Sequence, residues 1–179
     1  MTAYIPPKWQ KPSPLGYANA IDSVGGVASP LLAGFSLATT VLISDDAKDF
    51  RWPGVAMVIF VIAAVLLIEA VQCSFNARKY IWSAGDVTAW WPDMQIGTNR
   101  EENLQEEQRI AYSKWQTWSA WTRWAYNLGI VALLAALGSA LPPQHATDAQ
   151  GTLRWVAAGI AFAACIGELV WFGISRLRS

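Results

Sequence analysis

The charges of this chain are gathered into short segments, and the uncharged stretches between them constrain the fold most. Val24–Ile43 has no charged residue in 20 positions, Gly54–Phe75 has only Glu69 in 22, Ala125–Leu141 has none in 17, and Leu153–Ile174 has only Arg154 and Glu168 in 22. An α-helix rises about 1.5 Å per residue, so a hydrocarbon core about 30 Å thick needs about 20 apolar residues, with about 17 to 25 tolerated. A helix buried in a soluble bundle keeps a polar stripe at its period of about 3.6 residues, and "VAMVIFVIAAVLLIEAVQ" has none before Glu69. Charged residues make up 15% of the 179, where a soluble domain has about 25%. The expectation is an all-α fold, a four-helix transmembrane bundle in a lipid bilayer.

The 13 basic residues orient it. Lys8, Lys11, Arg78, Lys79, Arg100, Arg109, Lys114, Arg123, Arg176 and Arg178 fall on one side of the four runs, and only Lys48, Arg51 and Arg154 fall on the other. The positive-inside bias places both termini and segment 76–124 in the cytoplasm of a multi-pass protein of the plasma (inner) membrane. The expected order is a proline-rich cytoplasmic arm at 1–23, spans one and two within 24–75, a cytoplasmic helical hairpin at 76–124, spans three and four within 125–174, and a basic tail at 175–179. The arm contains Pro6, Pro7, Pro12 and Pro14 and no apolar core, so it does not read as a signal peptide and span one is expected to be retained.

The hairpin follows from "EENLQEEQRIAYSKWQTWSAWTRW", which has no Gly or Pro and runs straight into span three. One helix over about 101–141 is expected, with acidic residues at its N-terminus where the helix dipole favours them. Asp86 is an expected N-cap for a short helix ended by Pro92. Trp115, Trp118, Trp121 and Trp124 recur every third position. At about 100° per residue they sweep half the circumference instead of lining one groove. Trp121 and Trp124 suit the water–lipid boundary, and Trp115 and Trp118 suit packing on another cytoplasmic element. A nucleic-acid stacking platform needs a basic groove, and 76–124 balances six basic against six acidic residues, so nucleic acid is not an expected partner.

Within the spans, small residues mark close approaches of helices: Gly34 and Ala38 on span one, and Gly159, Ala163 and Gly167 on span four. Pro30 is expected to kink or delay span one, with Ser29 and Ser36 bonding the freed carbonyls. Glu69 and Glu168 lie at similar depth, about 12 to 13 Å inward of Arg78 and Arg176. Intramembrane carboxyls usually face the bundle interior, either as a cation or proton site or as a hydrogen-bonded pair. Asp45, Asp46 and Asp49 follow span one at the outer surface. They form either the cation mouth of an oligomer with span one at its axis, or a solvated helix end.

Through "SPLLAGFSLA", "RWPG", "TAWWPD" and "WAYNLGI" the chain resembles uncharacterised small bacterial four-span membrane proteins, which implies no activity. Its layout resembles Orai-type calcium channels in the four spans, the cytoplasmic ends, the extension between spans two and three, and "LLAGF" in span one. That family has a glutamate near the outer end of its pore helix, whereas the acidic residues here come later, at Asp45 and Asp46. The resemblance implies a cation-permeable homo-oligomer. A non-conducting scaffold recruiting a cytoplasmic protein through 76–124 is the alternative. An enzyme is not expected: the chain has one histidine, His145, no Cys/His metal spacing, no nucleotide or nucleophile motif, and no expected cofactor. Cys73 and Cys165 are offset in depth by about 9 Å and read as small buried hydrophobes.

Overall fold

The computed structural model describes residues 8–92, 99–144 and 149–177. His145, Asp93, Arg178 and the first prolines of the arm lie outside them. The described residues are helical, with one isolated bridge, Phe50 to Pro143, between the two loops after α2 and before α6. The helices are α1 (Tyr17–Ser23), α2 (Ser29–Asp45), α3 (Pro53–Arg78), α4 (Ala84–Trp90), α5 (Asn99–Ala140) and α6 (Ala149–Leu177). A π-helical turn, Val24–Ala28, joins α1 to α2 without a break.

Among the described residues, three helices are long and apolar enough to cross a membrane: Tyr17–Asp45, Pro53–Arg78 and Gln150–Ile174. Only 22%, 33% and 17% of their most apolar stretches are buried, so most of this apolar surface faces outward, as lipid tolerates and water does not. α5 is not among the three. Its C-terminal half includes Tyr126, Asn127 and two glycines, and it turns Ala125, Gly129, Leu133, Ala136 and Gly138 into the protein. A four-span bundle is therefore a finer statement than the helices alone establish.

α3 packs on α2 and on α5, and α6 packs on α5. Toward the end that holds the 46–52 loop, Ile43, Ala56, Phe60, Ala136 and Ala140 form one core cluster; deeper, Ala33, Ala63, Leu67 and Leu133 form another. Small side chains allow the approach. A Cβ on Gly129 would lie 2.8 Å from Leu67 Cγ, and one on Gly138 would lie 2.9 Å from the Phe162 ring. At the opposite end, a Cβ on Gly25 would overlap Ser74 of α3.

Pro30 does not delay the helix, which is continuous from Tyr17 to Asp45. It lacks the N–H that an α-helix would aim at Gly26, and the preceding π turn, in which Ser29 N–H donates to Val24 O, carries the chain past it. Ser36 Oγ does donate to a carbonyl, that of Leu32, at 2.9 Å. Ser29 does not share that role: its Oγ is fully buried and finds no partner among the described residues. The short helix also begins differently from expectation. Ser83 is the N-cap of α4, its Oγ accepting from Asp86 N at 3.2 Å while the Asp86 carboxylate accepts from Ser83 N at 2.6 Å. This reciprocal capping box uses both residues, with Asp86 three positions inside the helix.

Candidate functional site

The C-terminal end of α2 carries Asp45, Asp46 and, at the end of a single 3₁₀ turn, Asp49, all exposed. They form no cluster able to hold a metal ion among the described residues. The face of α2 that leads to them is more informative. α3 covers only one side of α2, where Ser29, Ala33, Ser36 and Ile43 are buried. On the uncovered side Leu31, Gly34, Ala38, Val41 and Asp45, and before them Val27 of the π turn, are all exposed. They recur in alternating steps of four and three residues, the spacing of a helix seam that meets other helices. Nothing approaches the position a Gly34 Cβ would occupy. Gly34 and Ala38 thus lie on this free face and not in a contact within the chain. Val27, Leu31 and Val41 were not singled out by sequence, because a period inside a uniformly apolar run is invisible without knowing which side is covered.

Gly159, Ala163 and Gly167 are likewise exposed, on the side of α6 away from its buried residues Gly151, Ala158 and Cys165. Glu69 and Glu168 depart from the expected interior position: both are exposed on the outer faces of α3 and α6. One turn along the same helix, Cys73 Sγ donates to Glu69 Oε1 at 3.8 Å. The Cys165 thiol points to Val131 O at 3.6 Å, and both cysteines are free.

The other end of the molecule is tied together by polar and aromatic contacts. Gln10 N donates to Gln108 Oε1 at 2.7 Å and Gln108 Nε2 donates to Gln10 O at 2.6 Å, so a buried amide on α5 satisfies the backbone of the arm on both sides. Tyr112 Oη donates to Lys11 O at 3.1 Å, and Trp9 meets Trp82 edge-on at 6.3 Å. Trp115 is buried between Tyr17 and Tyr112, at 5.5 and 5.2 Å between ring centres. Arg78 of α3 pairs with Asp22 at 2.7 Å. Farther along α5, Arg109 Nε donates to Glu106 at 2.8 Å, and this bonding holds the Glu106 carboxyl below its ordinary range. Trp118 is half-buried, Trp121 is 60% exposed, and Trp124 packs edge-on against Phe172 at 4.5 Å. Trp90 and Trp91 form an exposed edge-to-face pair after the short helix, at 6.0 Å.

The chain matches no protein-family model, no curated protein and no solved structure. Neither resemblance read from the sequence gains support there, and the site rests on its own geometry.

Proposed function

We propose that the chain crosses the inner membrane four times and assembles as a homo-oligomer with α2 facing a common axis, forming a cation-permeable channel. The observation that supports this is the uncovered seam Val27, Leu31, Gly34, Ala38, Val41 and Asp45. On it, an apolar lining ends in a carboxylate, and a ring of such carboxylates raises cation concentration at a pore mouth. Val27, Leu31 and Val41 would form the narrow apolar stretch, which gates by dewetting. Residues 125–141 supply the remaining span. A helix lying between α3 and α6 meets protein on two sides, and so needs less apolar surface than one surrounded by lipid. An even number of spans is consistent with basic residues at both ends of the chain. The non-conducting scaffold remains the alternative, favoured by the exposed Trp90–Trp91 pair on the hairpin.

Purified protein in liposomes is expected to pass monovalent cations in preference to anions. Asp45→Asn with Asp46→Asn should lower that selectivity, more so at low salt where screening is weak, without changing oligomeric state. An absence of flux, or selectivity unchanged in the double variant, would replace the channel with the scaffold.

A further inference from the structure

A groove of about 670 Å³ lies on α5, lined by Thr117, Ala120, Trp121, Trp124 and Leu128. Its residues straddle the point where α5 changes from charged to uncharged, since Arg123 is the last charged residue of that helix. The polar end is Thr117, whose hydroxyl is committed to Ser113 O at 3.1 Å. The apolar end is Leu128, and Phe172 of α6 supports the Trp124 ring from the side. Trp121 and Leu128 remain 60% and 36% exposed. The groove is therefore open along its length to whatever surrounds the helix.

The stripe that forms this groove continues one step toward the N-terminus. Lys114, Thr117, Trp121, Trp124 and Leu128 alternate in steps of three and four, one face of a helix. Lys114 thus stands two turns, about 10.5 Å, before Trp121 on the same side. Its ammonium lies 5.5 Å from the centre of the Tyr80 ring. That partner steers the charge without neutralising it, and no carboxylate pairs with it among the described residues. A cation, then a hydroxyl, then two indoles and a leucine is the order of polarity of a phospholipid read from phosphate to acyl chain.

We propose that this groove binds an anionic phospholipid of the cytoplasmic leaflet, its phosphate at Lys114 and one acyl chain along Trp121, Trp124 and Leu128. Charge complementarity selects the occupant. A neutral detergent or a zwitterionic lipid fills the apolar part equally well but leaves Lys114 without a net counter-charge, and a basic side chain near the surface favours anionic lipid. The site depends on α5 entering the membrane near Trp121 and is independent of conduction, so it stands or falls separately from the flux experiment.

The test is native mass spectrometry of the detergent-purified full chain, given equal amounts of phosphatidylglycerol and phosphatidylcholine with identical acyl chains. The wild type should retain phosphatidylglycerol over phosphatidylcholine by about fivefold, the gain expected of one lysine. Lys114→Gln should bring that ratio to about one while total lipid retention persists, which also shows that the variant is folded; Lys114→Arg should keep the preference. Trp121→Ala should lower retention of both lipids. Inorganic phosphate should not displace the bound lipid. A wild-type ratio near one, a Lys114→Gln ratio equal to wild type, undiminished retention in Trp121→Ala, or displacement by phosphate alone would each overturn the proposal.

Discussion

The contact between Gly129 of α5 and Leu67 of α3 gives a quantitative test of how these two helices are held. Leu67 is fully buried, and a Cβ added to Gly129 would lie 2.8 Å from its Cγ, 2.9 Å from its Cδ2 and 3.5 Å from its backbone nitrogen. The backbone distance is ordinary van der Waals contact, so Gly129→Ala does not force the helices apart; the leucine side chain has to move instead. Overpacking of this kind costs about 1 to 3 kcal/mol. Leu67→Ala removes the obstructing atoms and opens a cavity, at about 2 to 5 kcal/mol. In the double variant the alanine methyl at position 129 enters part of that cavity and its clash disappears. The combined cost should then fall short of the sum by about 1 to 2 kcal/mol, well outside the about 0.3 to 0.5 kcal/mol expected of independent sites. Reversible unfolding in mixed micelles of mild detergent and dodecyl sulfate, followed by tryptophan fluorescence, measures all four corners of this cycle. Because alanine also favours the helix over glycine by about 1 kcal/mol, the single variant can come out near neutral, and it is strict additivity in the cycle that would show that the helices do not meet at this point.

Two further expectations concern the arm and the topology. Gln108→Leu removes both hydrogen bonds to Gln10; the arm should be cleaved by trypsin after Lys8 several times faster, while the thermal midpoint of the helices moves little, and unchanged cleavage would mean that Trp9 and Tyr112 hold the arm by themselves. Cysteines placed at Lys48 and at Ala146 in a background lacking Cys73 and Cys165 should react with an impermeant thiol reagent from outside, and one at Gln105 should not; external labelling at Gln105 would remove the orientation, and protection at Ala146 would remove the fourth span.

The parts of this structure that were legible in the sequence are those for which the surroundings impose a composition. Lipid requires uninterrupted apolar runs, so the helices over 24–45, 53–78 and 150–174 declare themselves. The long helix is legible for another reason, the absence of any Gly or Pro between Glu101 and Trp124. Which side of a helix is covered was not legible. Glu69 looks the same in sequence whether it faces α5 or the outside, because apart from Gln72 the residues within one turn of it are apolar on every face. The assignment of Asp86 as cap failed because Ser83 and Asp86 are both good capping residues, and their spacing of three lets them act together as a box with Ser83 as the cap. Gln10 and Gln108 are 98 positions apart and chemically unremarkable; only the fold brings them together. The same holds for Lys114, which is one basic residue among ten on its side until the groove two turns away gives it a neighbour.

The π-helical turn at Val24–Ala28 sets the phase between the two halves of the first long helix. A π turn accommodates one more residue than an α turn over the same rise. Before it, Tyr17 and Asp22 are aligned with Trp115 and Arg78; after it, the seam from Leu31 to Asp45 points away from α3. Winding the same residues as a regular α-helix would move every later position on by one residue and rotate the faces of α2 by about 100° against α1. Either the contacts of Tyr17 and Asp22 or the outward seam would then be lost. The extra residue acts as an angular offset, by which one continuous rod addresses its own chain at one end and its surroundings at the other.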